Sequence, residues 1–324
     1  MTHYAEELVC NIYCIDIDYI RPQLACSYVI CHQGKAAYID CGTTHSVPRL
    51  LSALKECNLE AADIDYVIPT HIHLDHAGGA GALMQCLPNA TLVVHPRGAA
   101  HMIDPQRLID SARDVYGAAR FDELYGEIVP VQEQRVQSAH DGDIIDLNGR
   151  PLHVADTPGH ARHHICLYDE LSNAWFTGDT FGLSYPDIAI ASGNYLLPTT
   201  TPVQFEPEAW LDSIDTLLSK QPERMFLTHY SVVENPQLLA QKLRRDIQHY
   251  KNIASSITHS ADRVNQIKQK LVEFTLNDLA KLGCSQPREE LIDLLDTDIT
   301  LNAQGLDIWL MRQEKHQSQV QAKQ

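Results

Sequence analysis

Three histidines and one aspartate fall within six positions of Thr70-His71-Ile72-His73-Leu74-Asp75-His76-Ala77-Gly78-Gly79. An apolar segment, Ile64-Asp65-Tyr66-Val67-Ile68-Pro69, runs into them, and the small residues that follow read as the start of a helix. The cluster is therefore expected where a buried strand ends and the chain turns, the place where open α/β sheets put ligand sites. Neutral imidazole nitrogens and carboxylate oxygens are ligands that zinc, iron and manganese accept. A lone histidine at a strand end is more often structural. Four ligand-type residues at these fixed offsets point instead to metal.

The chain around the cluster reads as a layered α/β domain. Residues 25–32 and 35–40 form strands about a Gln33-Gly34 turn, and a helix is predicted over 46–57. The strand into the cluster, a helix over 79–87 and a strand over 91–95 follow. Residues 97–127 break this rhythm with two helical segments, 107–116 and 118–125, and read as an insertion beside the site. Strand patterns resume at 143–147 and 151–156 around Asn148-Gly149, then at 165–168 and 174–177. A long loop over 181–206, a helix over 206–220 and a short strand over 225–229 complete the domain, taken as 1–234. Beyond it lies a helical appendage, 235–312, with segments at 238–256, 261–282, 288–295 and 301–312. Residues 313–324 carry almost no apolar side chains and are expected to fray or be disordered.

Three later strand ends carry further ligand-type residues: His160, Asp179 and His229. Seven such residues exceed what one four- or five-coordinate ion takes. Two ions sharing a bridging carboxylate would use them all. His71-x-His73 lets two rings face one ion from extended chain, and Asp75 and His76 can turn towards the other.

Charge limits the partners. The net charge of −17 argues against nucleic acid and anionic membrane, and no stretch approaches the roughly 20 apolar residues of a membrane span. No basic, then apolar, leader opens the chain, so a cytoplasmic location is expected. The nine scattered cysteines include no CxxC pair and are expected to be free thiols.

HxHxDH followed by Gly78-Gly79, then Gly159-His160, Gly178-Asp179-Thr180 and finally Thr228-His229, resembles the metallo-β-lactamase-fold superfamily. Glyoxalase II-like and lactonase-like hydrolases are the nearest branch, and the likeness covers about residues 10–232. The resemblance implies an αββα sandwich with metals at the sheet edges. It assigns His71, His73 and His160 to a first metal, Asp75, His76 and His229 to a second, and Asp179 to a bridge. The implied cofactors are two divalent ions, Zn2+ foremost, with iron or manganese also suited to the ligands. The implied reaction is cleavage of a small thioester, ester or lactone by a hydroxide formed between the two ions. A catalytic part beyond ligation falls to three residues. Asp75 lies at the second ion. His164 takes the second histidine position of a GHxxGH pattern in which His163 replaces glycine, and would orient substrate or hydrogen-bond a ligand. Tyr185 resembles the oxyanion donor of lactonases. Asp40 resembles a carboxylate that buttresses a ligand histidine, and Tyr230 reads equally as packing.

Other functions are weighed against this one. A metal-binding regulatory or ligand-binding protein would keep the fold with little turnover. Flavodiiron-type oxygen reductases resemble HxExDH, with glutamate where this chain has His73, and carry a flavodoxin domain. The basic glutathione-binding residues of glyoxalase II do not map onto 236–312. The apolar stripes of the appendage need burial, either by capping the pocket or by forming a homodimer.

Overall fold

In the computed structural model, residues 3–191, 193–200 and 203–321 are described. Alternating apolar residues build two sheets. The first holds β1 (Ala5–Glu7), β2 (Ile12–Asp16), β3 (Cys26–His32), β4 (Lys35–Ile39), β5 (Ile64–Ile68), β6 (Thr91–Val94) and β7 (Val136–Ser138), in that spatial order. β1 to β4 run antiparallel, and β4 to β7 run parallel. The second sheet has the order β13-β12-β11-β10-β9-β8. It is made of β8 (Ile144–Leu147), β9 (Arg150–Asp156), β10 (Ile165–Asp169), β11 (Ala174–Gly178), β12 (Arg224–Leu227) and β13 (Ser231–Glu234). Only β11 and β12 pair in parallel there.

The sheets pack face to face over a core that includes Tyr28, Ile30, Ile68, Leu167, Phe176 and Phe226. The outer face of the first sheet is covered by α1 (Val47–Glu56), α3 (Ala80–Cys86), α4 (Pro96–Ile103), α5 (Gln106–Tyr116) and α6 (Ala118–Tyr125); a single turn, α2 (Leu74–Ala77), precedes α3. The outer face of the second carries α7 (Pro207–Ser219), α8 (Pro236–Ser255), α9 (Arg263–Lys281) and α10 (Arg288–Gln321). This is the expected αββα sandwich.

The C-terminal segments differ from expectation. One helix, α10, runs from Arg288 through the expected break at 296–300 and on through most of the expected frayed tail. Asp296-Thr297-Asp298 are poor helix formers, but Leu291, Leu295, Ile299, Leu306 and Trp309 keep helical spacing and are all buried. Tertiary packing thus overrides local propensity. Residues 322–324 of the tail lie outside the described residues. The apolar stripes of α8, α9 and α10 share one core with α7 and the second sheet, so they are buried within the chain. Among the described residues, no helix is long and apolar enough to cross a membrane. All nine cysteines are unpaired.

One buried ion pair ties the sheets together. Arg150 of β9 donates twice to Asp169 of β10, at 2.8 and 2.7 Å, and also to the carbonyls of Cys10 and Cys31 beside the first sheet. Burial would raise the Asp169 carboxyl, but Arg150 and Ser172 hold it below the ordinary carboxylate range. Its contribution is therefore present above about pH 4 and lost as pH falls through the lowered value. Asp169→Ala would leave the guanidinium buried and uncompensated. Urea unfolding is expected to show a loss of about 3–5 kcal/mol, and a loss under about 1 kcal/mol would show that the pair does not hold the sheets.

Candidate metal centre

The seven ligand-type residues meet at one edge of the sandwich, each on the chain leaving a strand or joining two. His71 and His73 follow β5, Asp75 and His76 sit in α2, His160 lies between β9 and β10, Asp179 follows β11, and His229 follows β12. Two glycines make the close approach possible. Gly178 has φ +46°, and a Cβ there would lie 2.4 Å from Thr70 Oγ1 and 2.6 Å from His164 Nε2. Gly159 has φ +139°, and its Cβ would meet Trp210 Cβ at 2.3 Å. Glycine precedes His160 and Asp179 because no side chain fits there.

Surrounding acceptors set the histidine tautomers. Asp40, fully buried, accepts from Thr70 N (2.7 Å), Thr70 Oγ1 (3.0 Å), Thr228 Oγ1 (2.5 Å) and His76 Nδ1 (2.8 Å). His160 Nδ1 donates to the Thr199 carbonyl at 3.0 Å, and His229 Nδ1 donates to the Leu24 carbonyl at 2.8 Å. Thr70 Oγ1 gives its proton to Asp40, so it accepts from His71 Nδ1 at 3.2 Å. In the neutral form of each of these four rings, Nε2 is then the nitrogen without a proton, and it is aimed inward.

These atoms converge in three groups: His71, His73 and His160; Asp75, His76 and His229; and His71, His76 and Asp179. In each, the ligand atoms lie within 4.8 Å of one another. His73 Nδ1 is 2.8 Å from His71 Nε2 and 3.1 Å from His160 Nε2. Asp179 stands between the groups, with Oδ1 3.3 Å from His76 Nε2 and Oδ2 3.5 Å from His160 Nε2. Asp75 Oδ2 is 3.3 Å from His229 Nε2. His76 Nε2 and Asp179 Oδ1 are buried without a hydrogen-bond partner. Crowded lone pairs and unpartnered buried atoms repel one another unless a cation lies among them, so this donor set fits metal ions.

Electrostatics divides the groups. Burial and neighbouring rings hold His71 and His73 neutral, well below the ordinary histidine range. Burial also lowers His160, although Asp179 opposes it. Burial would lower His76 and His229 too, but carboxylates, Asp179 foremost, raise both. Burial would raise Asp75 and Asp179, yet the histidines, His76 foremost, hold both carboxyls low. The first group thus offers three neutral ligands, and the second adds negative charge.

The other expected site residues are placed differently. His164 is fully buried and spent on the scaffold. Its Nδ1 lies 2.9 Å from Thr157 Oγ1, and its Nε2 accepts the backbone N–H of Asp179 at 3.2 Å. Of its two expected roles it takes the second, a hydrogen bond to the ligand-type residue Asp179, and so holds the Asp179 turn. Tyr185 does not present an oxyanion donor. It is 2% exposed, and its hydroxyl donates to Asp298 Oδ1 at 3.0 Å. Tyr230 packs between the sheets. His163 lies over the site with its ring stacked on His71 at 6.1 Å, and burial pushes it down to about 3.

Sequence reasoning missed Asp298 and Asn302, both on α10. It also missed a tyrosine wall. Tyr19 and Tyr125 join through their hydroxyls at 3.1 Å, Tyr116 packs edge-on to Tyr125, and the charge of Asp75 reaches all three. Tyr116 and Tyr125 belong to the 97–127 insertion, which therefore walls the site. Its placement beside the site was legible, but its choice of aromatics was not.

A family model described as the metallo-beta-lactamase superfamily matches residues 22–229, more than half of the chain. The metallo-beta-lactamase fold-containing protein ST1585 of Sulfurisphaera tokodaii is 26% identical over 229 residues, 69% of this chain and 79% of that protein. The solved structure of metallo-beta-lactamase family protein TTHA1429 from Thermus thermophilus superposes with a TM-score of 0.67 at 16% identity, covering 95% of each chain, which is a likeness of fold. The acyl-coenzyme A thioesterase MBLAC2 of Gallus gallus is 30% identical over 117 residues, 35% of this chain and 40% of that protein.

Proposed function

Because this chain belongs to the metallo-β-lactamase superfamily, we propose that it is a dinuclear metal-dependent hydrolase of a small thioester, ester or lactone. The observation that carries the reading is the convergence of His71, His73 and His160 on one side of Asp179, and of Asp75, His76 and His229 on the other. Divalent ions bound there, zinc foremost, supply Lewis acidity that acidifies water and polarises an acyl oxygen. The chain's own residues do the rest. Asp40, Thr199 and Leu24 take the Nδ1 protons of His76, His160 and His229, which leaves Nε2 of each neutral ring as the ligand atom, aimed inward. His164 holds the turn that presents Asp179 to both groups. His73 and Asp75 keep partial solvent access, so a substrate approaches over them, against the tyrosine wall. Likeness to an acyl-coenzyme A thioesterase supports the thioester member of the substrate class. The unpaired cysteines support a cytoplasmic location.

The test is a panel of thioesters, esters and lactones offered to protein reconstituted with zinc, iron or manganese. Turnover of at least one class is expected, lost on chelation and restored by metal. Fully loaded protein that turned over none of them would leave a binding or regulatory protein as the better reading.

A further inference from the structure

Helix α10 reaches the metal centre from the far end of the chain, through two residues one turn apart on one face. Asn302, 1% exposed, accepts from Thr200 N at 2.5 Å and donates to the Pro198 carbonyl at 2.9 Å. Between those two residues, the Thr199 carbonyl takes the proton of His160 Nδ1. Asn302 therefore locks the rotation of α10 against the loop that orients a ligand histidine. Asp298, four residues earlier, is turned to the same side. It lies near enough to His229 and Asp179 for their charges to act on it, and its own charge acts on Tyr116 of the opposite wall. Burial pushes its carboxyl up to about 6, against the pull of His229.

One oxygen of this carboxylate is left open. Oδ1 accepts the Tyr185 hydroxyl, while Oδ2 has no hydrogen-bond partner among the described residues. Asp169, the structural carboxylate of this fold, has both oxygens engaged, by Arg150 and by Ser172 N. Asp298 is half-buried, so part of its side chain stays open to solvent. Tyr185, whose proton is given to Asp298, offers only lone pairs. The Arg21 guanidinium lies over its ring, 4.9 Å from the centroid, and is itself paired with Asp187. Tyr185 and Asp298 thus offer acceptors here, beside one unpartnered donor, Arg21 Nη2.

Resting on the hydrolase reading, we infer that Asp298 is a specificity-determining residue that accepts a hydrogen bond from an amide N–H, hydroxyl or ammonium group carried by the acyl substrate a few bonds from the scissile carbonyl. The helical appendage thus supplies part of the substrate site, and Asn302 sets its position.

The probes are the butanoyl thioester of N-acetylcysteamine and its 2-acetoxyethyl counterpart, in which an ester oxygen replaces the amide N–H. Full-length, metal-loaded protein is expected to favour the amide by about 10- to 100-fold in kcat/KM, the size of one charge-assisted hydrogen bond. Asp298→Asn turns an N–H towards the cleft. It should collapse or reverse that ratio with metal content unchanged, and Asp298→Ala should collapse it without reversal. No preference in the wild type, or the same preference in Asp298→Asn, overturns the inference. If neither thioester is cleaved, the two corresponding ketones, with methylene in place of sulfur, are titrated calorimetrically. An amide preference that Asp298→Asn removes then supports the inference while the hydrolase reading fails. Equal affinities overturn it.

Discussion

Asp179→Ala is expected to lower the bound metal from two equivalents to at most one, and to lower kcat/KM by about a thousandfold or more. The reason lies in its position. Asp179 Oδ1 faces His76 at 3.3 Å while Oδ2 faces His160 at 3.5 Å, so one side chain serves both groups. On the dinuclear reading, its removal would take a ligand from each ion and leave two positive centres without a carboxylate between them. Lewis-acid stabilisation is worth several kcal/mol, and about 1.4 kcal/mol corresponds to tenfold in rate, which gives the thousandfold figure. The variant should still fold. Asp179 Oδ1 has no hydrogen-bond partner, and the turn is held through its backbone N–H to His164, which alanine keeps. The thermal transition in chelator should therefore stay near that of the wild type, while the rise on adding metal should shrink, since binding stabilises only in proportion to affinity. Elemental analysis showing two full equivalents in Asp179→Ala would remove the bridging role.

What was legible in the sequence follows from the range of the interactions. His71, His73, Asp75 and His76 announce themselves because one strand end and one helical turn bring them together. His160, Asp179 and His229 announce themselves through the strand-end pattern, helped by Gly159 and Gly178, whose small size the packing demands. His164 and Tyr185 lie at the right addresses, yet position along the chain does not say which atoms are already spent. His164 is spent on Thr157 and the Asp179 backbone, and Tyr185 is spent on Asp298. Asp298 and Asn302 left no local signal at all. They meet Tyr185 and Thr200 across 113 and 102 residues of chain, from a helix whose weak central stretch hid its continuity. Periodicity reports which face of such a helix is buried, but not what lies opposite it.

Asp40→Asn is expected to weaken the second metal selectively, by about 10- to 100-fold in affinity, and to destabilise the protein by about 3 kcal/mol. Four donor contacts from three residues converge on this carboxylate: Thr70 N, Thr70 Oγ1, Thr228 Oγ1 and His76 Nδ1. A carboxylate accepts on both oxygens, whereas an amide must turn two N–H bonds towards one pair of those donors. If they face Thr70, the strand end carrying His71 loses its anchor. If they face His76, the ring loses its acceptor, its protonated nitrogen is free to change, and the Nε2 lone pair is no longer assured. Thr70 N can only donate, so the amide oxygen is expected to keep it and the N–H bonds to face His76, which belongs to the second group, while His73 and His160 keep their surroundings. The backbone makes asparagine the clean variant. Asp40 has φ +54°, a left-handed conformation that asparagine tolerates and alanine does not. Asp40→Ala would add strain to the lost acceptor, whereas Asp40→Gly would remove the carboxylate with none. The three variants therefore separate the causes. Metal affinity should fall alike in Asn and Gly, and stability should fall furthest in Ala. Competition titration with a chromophoric chelator reads the affinities, and urea unfolding in excess chelator reads the stability without metal. Equal weakening of both metals in Asp40→Asn would show that the carboxylate supports the whole edge of the sandwich and not His76 in particular.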